Sequence, residues 1–205
     1  MADALAARGV AVTGLSRSGD GLDLTDEDAV QHVLGAVAGP FDLILVASGA
    51  LEIGGARPEK SLRALSAQAM MDQFALNALG PALVMRHAAR LLPRGRRAVF
   101  AVLSARVGSI GDNRLGGWVS YRAAKAAVNQ IVHTGAIELA RSHPQAVALC
   151  LHPGTVQTAM TRDYAKGHPT VPAGEAAQNL LRVIDGLTPA QTGGFYDWAG
   201  KSIPW

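Results

Sequence analysis

Cysteine is almost absent. The single one among 205 residues, Cys150, excludes a disulfide within the chain, and its Ala-Val-Ala-Leu-Cys-Leu surroundings fit a buried small hydrophobe better than a reactive thiol. Aromatic residues reach only 5%, too few for a platform that stacks single-stranded bases. Charged residues are sparse at 17%, with a formal net charge of +3 and 49% of positions apolar, which excludes disorder as the main state. The sequence pI is near 9.4, yet only Arg94, Arg96 and Arg97 cluster, in a Pro/Gly-rich turn that reads as a solvated loop. No apolar run approaches the roughly 18 to 20 residues that cross a bilayer, and the opening residues lack the charged region and long apolar stretch of a secretion signal. These absences predict a soluble cytoplasmic protein that binds neither nucleic acid nor membrane, folded as one domain over residues 1–205 around one core.

Short apolar, β-branched runs alternate with longer helical stretches. The runs cover residues 10–15, 41–47, 98–103, 146–151 and 194–197. Four are nearly continuous in apolar residues, as expected of strands covered on both faces. Helices are predicted over 26–37 with Thr25 as N-cap, 66–92, 120–141, and 174–184 after Pro172. This alternation predicts an α/β fold with a doubly wound, Rossmann-like parallel sheet. The chain opens inside a helical segment, residues 2–8, with no strand before it.

Tyr121 and Lys125 are four residues apart near the start of the 120–141 helix, so their side chains share a face. An ammonium beside a phenol favours the phenolate, which suits proton transfer. An isolated Tyr-x-x-x-Lys is an ordinary surface pair. Here it follows a strand ending at Ser104 and a loop containing Gly108, Gly111, Gly116 and Gly117, and precedes a strand ending in Pro153-Gly154. In an open α/β sheet, ligands bind beyond the carboxyl ends of the strands, where all these residues fall.

The runs Leu103-Ser-Ala-Arg-Val-Gly-Ser-Ile110, Tyr121-Arg-Ala-Ala-Lys125 and His152-Pro-Gly-Thr-Val-Gln-Thr158, with Gly-Phe-Tyr-Asp-Trp198 and the final Pro-Trp, resemble the short-chain dehydrogenase/reductase family. The likeness is to its C-factor-like and sniffer-like carbonyl reductases and spans essentially the whole chain. It implies an oxidoreductase that moves a hydride between a nicotinamide cofactor and a small carbonyl or alcohol substrate, in a homodimer or homotetramer, and calls for no metal. By the resemblance, Tyr121 is the general acid/base, and Lys125 holds the nicotinamide ribose and lowers the phenol's pKa. Asn77 matches the family's helix asparagine. The residues add an independent reason: Pro81 has no N–H, so the carbonyl four positions back, at Asn77, loses its helix partner and is free to hold a water. The competing reading of Asn77 is a helix kink with a satisfied amide.

The substrate-binding serine is open between Ser104 and Ser109. The position that matches the family's usual serine is Ala105, and Ser104 is favoured as the residue nearest the sheet end. Ser16-Arg17, with no acid at the end of the 10–15 run, favours NADP(H) over NAD(H), because a basic residue pairs with the extra phosphate; the alternative makes Arg17 a turn residue. Asp23 resembles the adenine-contacting aspartate or, alternatively, supports the helix cap. Ala47-Ser48-Gly49-Ala50 stands where the family commonly reads Asn-Asn-Ala-Gly, so Ser48 and Gly49 keep a close backbone approach to the cofactor without the asparagine amides, and Pro153, Gly154, Val156 and Thr158 match the segment lining the nicotinamide. Loops at 51–60, 111–119 and 160–170, with Trp118 and Tyr164, are expected to form a modest apolar pocket with no fixed carboxylate clamp.

The family's first strand and Gly-rich pyrophosphate turn have no counterpart before residue 2. Three expectations follow. The natural chain extends upstream by about 15 to 30 residues and is an active reductase; or the short chain is a cofactor-poor binding or interaction protein; or it binds NADP(H) weakly through Arg17, Asp23 and the Tyr121/Lys125 helix.

Overall fold

Continuous apolar runs become strands where partners flank them and helices cover both faces, and four of the five predicted runs meet that condition. The computed structural model describes residues 1–165, 167 and 169–205; Lys166 and His168, in the predicted 160–170 loop, lie outside the described residues. Strands β1 (Leu43–Val46), β2 (Ala98–Leu103), β3 (Ala146–His152) and β4 (Phe195–Asp197) form one parallel sheet in the order β1-β2-β3-β4. Register pairs Val46 with Val102, Val102 with Cys150, and Cys150 with Phe195.

Eight helices complete the described chain: α1 (Ala2–Ala6), α2 (Arg17–Asp20), α3 (Glu27–Ala36), α4 (Ala67–Phe74), α5 (Gly80–Arg86), α6 (Ala88–Leu91), α7 (Val119–Ala140) and α8 (Ala173–Gly186). Strand alternation divides the apolar side chains between two cores. On one face, Phe100, Val102, Ala148 and Cys150 pack with Val30 and Leu34 of α3, Leu83 and Val84 of α5, and Val128 and Val132 of α7. On the other, Val99, Ala101, Leu149 and Leu151 pack with Leu180, Leu181 and Ile184 of α8 and with Met1, Ala4 and Leu5. This is the predicted Rossmann-like architecture. No helix among the described residues is long and apolar enough to cross a membrane.

Three local expectations are corrected. Residues 10–15 form no strand: a strand exists through its ladder, and this run pairs with none of the four strands. Val10 and Val12 are exposed, and only Leu15 packs partly on the core. The N-cap of α3 is Asp26 rather than Thr25, because the Asp26 carboxylate accepts from the amides of Asp28 and Ala29. The predicted 66–92 helix is broken: α4 passes into a π-turn over Ala75–Leu79 before α5, and α6 follows as a short separate segment. Pro81 supplies the cause, since it cannot donate to the Asn77 carbonyl and its ring crowds the preceding turn.

Candidate active site

The carboxyl ends of β1 and β2 open on one crevice, and α7 and the π-turn supply its side chains. Lys125 is buried and donates from Nζ to the Leu103 carbonyl at the end of β2, at 3.0 Å. One turn earlier on the same face, Tyr121 is also buried, and its ring centroid lies 5.7 Å from Lys125 Nζ. Burial penalises the charged form of each group. It pushes the Tyr121 phenol up to about 12 and the Lys125 ammonium down to about 8. Tyr121 is therefore protonated at neutral pH, the state in which a phenol donates.

Asn77 is fully buried in the π-turn. Its amide spans the crevice: Nδ2 donates to the Ala50 carbonyl at 2.9 Å, and Oδ1 accepts from the Ala50 amide at 3.3 Å. Gln73, one turn earlier, accepts from Asn77 Nδ2 at 2.7 Å and donates to the Leu51 carbonyl at 2.9 Å. The loop after β1 is thereby fixed against α4. The structure shows the features of the competing reading of Asn77, a satisfied amide in a distorted helix, at the position where Pro81 offers no N–H.

Gly49 shows how tightly these groups converge. A Cβ built on it would lie 2.8 Å from Asn77 Oδ1 and 3.4 Å from Lys125 Nζ, and its φ of 146° is in the region that favours glycine. Beside it, Ser48 Oγ is buried with no hydrogen-bond partner. A bare backbone approach and an unsatisfied hydroxyl beside an ammonium fit a polar ligand such as the nicotinamide ribose.

Each candidate serine is held by a hydrogen bond of its own. Ser104 Oγ donates to Asn129 Oδ1 at 2.7 Å, beneath α7, and Ser109 Oγ donates to the Pro204 carbonyl at 2.5 Å. Strand alternation turns the Ser104 side chain toward the same face as Val102, where α7 covers it. After β3, Gly154 takes a positive φ of 78° against Trp198, Val156 bridges to Val171, and the Thr158 amide donates to Thr161 Oγ1 at 3.2 Å. Pro153 sits between β3 and this turn. Arg17 is exposed at the start of α2 and makes no ion pair among the described residues. Asp23 accepts from the Thr25 hydroxyl and amide, which hold its carboxyl below the usual range, so it supports the chain's entry into α3. A cavity of about 300 Å³ adjoins the crevice, lined by Gly49, Leu51, Glu52, Met160, Asp163 and Tyr164. Arg57 pairs with both Glu52 and Asp163 at its edge, at 3.4 and 3.3 Å.

Three residues that the sequence motifs do not include shape this site, Gln73, Asn129 and Glu59, and Trp118 adds a left-handed backbone conformation. Helical spacing carries a signal for two of them, since Gln73 precedes Asn77 by four and Asn129 follows Lys125 by four.

Comparison with known proteins places the chain among oxidoreductases. A family profile described as short chain dehydrogenase matches residues 1–169. The chain is similar to the C-signal of Myxococcus xanthus, 38% identical over 140 residues, covering 66% of this chain and 78% of that protein. It is 29% identical over 201 residues to a 1-hydroxy-2-glutathionyl-2-methyl-3-butene dehydrogenase of Rhodococcus sp. strain AD45, covering 98% of this chain and 83% of the relative. A solved short-chain dehydrogenase/reductase of Burkholderia multivorans with bound NADP superposes with a TM-score of 0.73 at 25% identity, over 89% of this chain and 75% of its own. With the family profile matching residues 1–169, the chain belongs to the short-chain dehydrogenase/reductase family of oxidoreductases.

Proposed function

We propose that this protein is an NADP(H)-dependent reductase of small carbonyl compounds, with Tyr121 as general acid. The observation that carries the reading is the convergence of Tyr121, Lys125, Asn77 and the bare backbone of Gly49 on one crevice beyond the sheet. Ser48, Gly49, Tyr121 and Lys125, with Pro153, Gly154, Val156 and Thr158 across the crevice, would hold the cofactor. Arg17, exposed and in no ion pair among the described residues, supports a preference for the extra phosphate of NADP(H), and Asp23 is the candidate at the adenine. When bound, the nicotinamide supplies the hydride that the substrate carbon accepts.

The protein's part is proton management. Tyr121, kept protonated by burial, donates its proton to the carbonyl oxygen as negative charge develops there. The adjacent Lys125 stabilises the resulting phenolate and holds the ribose. The Asn77 carbonyl in the π-turn, which Pro81 cannot bond, would hold a water that links Lys125, and through it the tyrosine, to protons from solvent. Ser104 is held by Asn129, so its direct contact with substrate would require that bond to break. Ser109 remains the rival, engaged with Pro204.

The test is oxidation of NADPH by this chain with a panel of aldehydes and ketones. Tyr121→Phe should lower kcat by about 10²- to 10⁴-fold while the NADPH affinity, read by fluorescence quenching, changes little. Equal turnover by both proteins would remove Tyr121 from the role, and no cofactor binding by either would favour a non-catalytic binding protein of the same fold.

A further inference from the structure

The turn that delivers Tyr121 is strained, and one acidic side chain from another loop holds it. Trp118, the N-cap of α7, has φ 54° and ψ 39°. Among the described residues it is the only non-glycine with positive φ. A bulky side chain is strained in this left-handed region and persists there where surrounding contacts over-determine it. The strain adjoins the acid: the Trp118 ring meets that of Tyr121 edge-on at 6.4 Å, and that of Tyr164 at 5.5 Å on the cavity side.

Glu59 supplies the constraint. It is only 6% exposed, on the loop between β1 and α4, and three of its atoms grip this turn. Its carbonyl accepts from the Trp118 amide at 2.5 Å. One carboxylate oxygen accepts from the Ser120 amide at 3.3 Å, and the other accepts from the Ser120 hydroxyl in a short bond. The Ser120 amide is one of the donors that a helix start leaves without an intrahelical partner, and a carboxylate there is also favoured by the helix dipole. Arg122 braces the other side, donating to the carbonyls of Gly117 and Val107 at 2.9 and 3.2 Å. Glu59 also shares a small cleft with Tyr121 and Gln73, so it adjoins both the acid and the residue that fixes Asn77.

We infer that Glu59 is a positioning residue: by holding Trp118 and Ser120 it fixes the first turn of α7, and so sets the direction of the Tyr121 phenol and of the Trp118 ring that packs between it and Tyr164. The inference rests on the reading of Tyr121 as the acid. Its energetic basis is that Tyr121 is the next residue after Ser120, so loosening this turn moves the phenol directly, and displacements of about 1 Å at a reacting group cost up to about 10²-fold in rate.

The test uses Glu59→Gln, which keeps the side chain's shape and removes its charge, with Glu59→Asp as the conservative comparison and Ser120→Ala to remove the partner hydroxyl. Amide hydrogen exchange across residues 117–122 should speed up about tenfold in Glu59→Gln, while residues 128–140 of α7 keep their protection. In the same protein kcat for carbonyl reduction should fall about tenfold with KM for NADPH changed less than about twofold. Glu59→Asp should recover part of both effects, and Ser120→Ala should add little when combined with Glu59→Gln, as expected of two residues in one contact. Unchanged exchange in the first turn overturns the inference, as does faster exchange with unchanged kcat, which would reduce Glu59 to a helix cap. If the wild-type chain oxidises no NADPH with any carbonyl, the reductase reading fails instead, and the exchange result alone judges the hold of Glu59 on the turn.

Discussion

Burial acts on Tyr121 and Lys125 through the same physics with opposite results, raising the phenol to about 12 and lowering the ammonium to about 8. The sequence spacing predicts their shared face, and the structure adds that desolvation, more than their mutual attraction, governs the phenol before any ligand arrives. His152 at the end of β3 is governed the same way. Burial, reinforced by Arg106 and opposed by Asp197, lowers it from an ordinary 6.5 to about 4. The unfolded chain takes up a proton at His152 as pH falls through 6.5, whereas the folded chain resists until about 4. Stability present above 6.5 is therefore lost as pH falls toward 4, by up to about 3 kcal/mol at 1.36 kcal/mol per unit. Thermal melts over that interval should show a falling Tm, and His152→Gln should flatten the dependence. A slope unchanged by the substitution would assign the acid sensitivity to other groups. Asn77 was legible because Pro81 stands four residues on. The direction of Ser104 was not, because the family spacing falls on Ala105, nearness to the sheet end alone favoured Ser104, and only α7, through Asn129, decides where its hydroxyl points.

At the scale of elements, α7 is where local sequence and tertiary packing meet. Its length and face are legible in the sequence, but its first turn is set from outside by Glu59 and its depth by Gly108. A Cβ on Gly108 would lie 2.8 Å from both the backbone carbonyl carbon and the Cβ of Lys125. Backbone on one side and a buried side chain on the other leave little room to give. Gly108→Ala should therefore destabilise the fold by about 1 to 3 kcal/mol, read from the denaturation midpoint. It should also lower turnover in the folded fraction, since the displaced residue is Lys125; a loss of stability with normal turnover would show that α7 moves as a rigid unit. The π-turn illustrates the converse case, a tertiary feature with a local cause. The run at 10–15 shows why composition alone does not make a strand: its apolar residues met no ladder, so they stayed extended and partly exposed.

The whole molecule is a single parallel sheet clasped by two cores, α3, α5 and α7 on one face and α8 with α1 on the other. Because β2 and β3 contribute alternate side chains to both cores, neither face can melt without disturbing the other. Far-UV and fluorescence denaturation curves are expected to coincide in one transition. Truncating fully buried Leu149 on the α8 face, as Leu149→Ala, should shift both curves together by about 2 to 5 kcal/mol. Separate transitions would indicate that the two faces fold independently. The sequence by itself determined the layered architecture, the tyrosine and lysine on one helix face, and the Asn77 carbonyl that Pro81 leaves without its usual helix partner, because periodicity, four-residue spacing and the missing proline N–H are local properties of the chain. Only the tertiary structure decided which runs found partners, where Ser104 points, and that Glu59 clamps a strained Trp118 beside the acid. Those depend on residues far apart in sequence whose meeting no local pattern records.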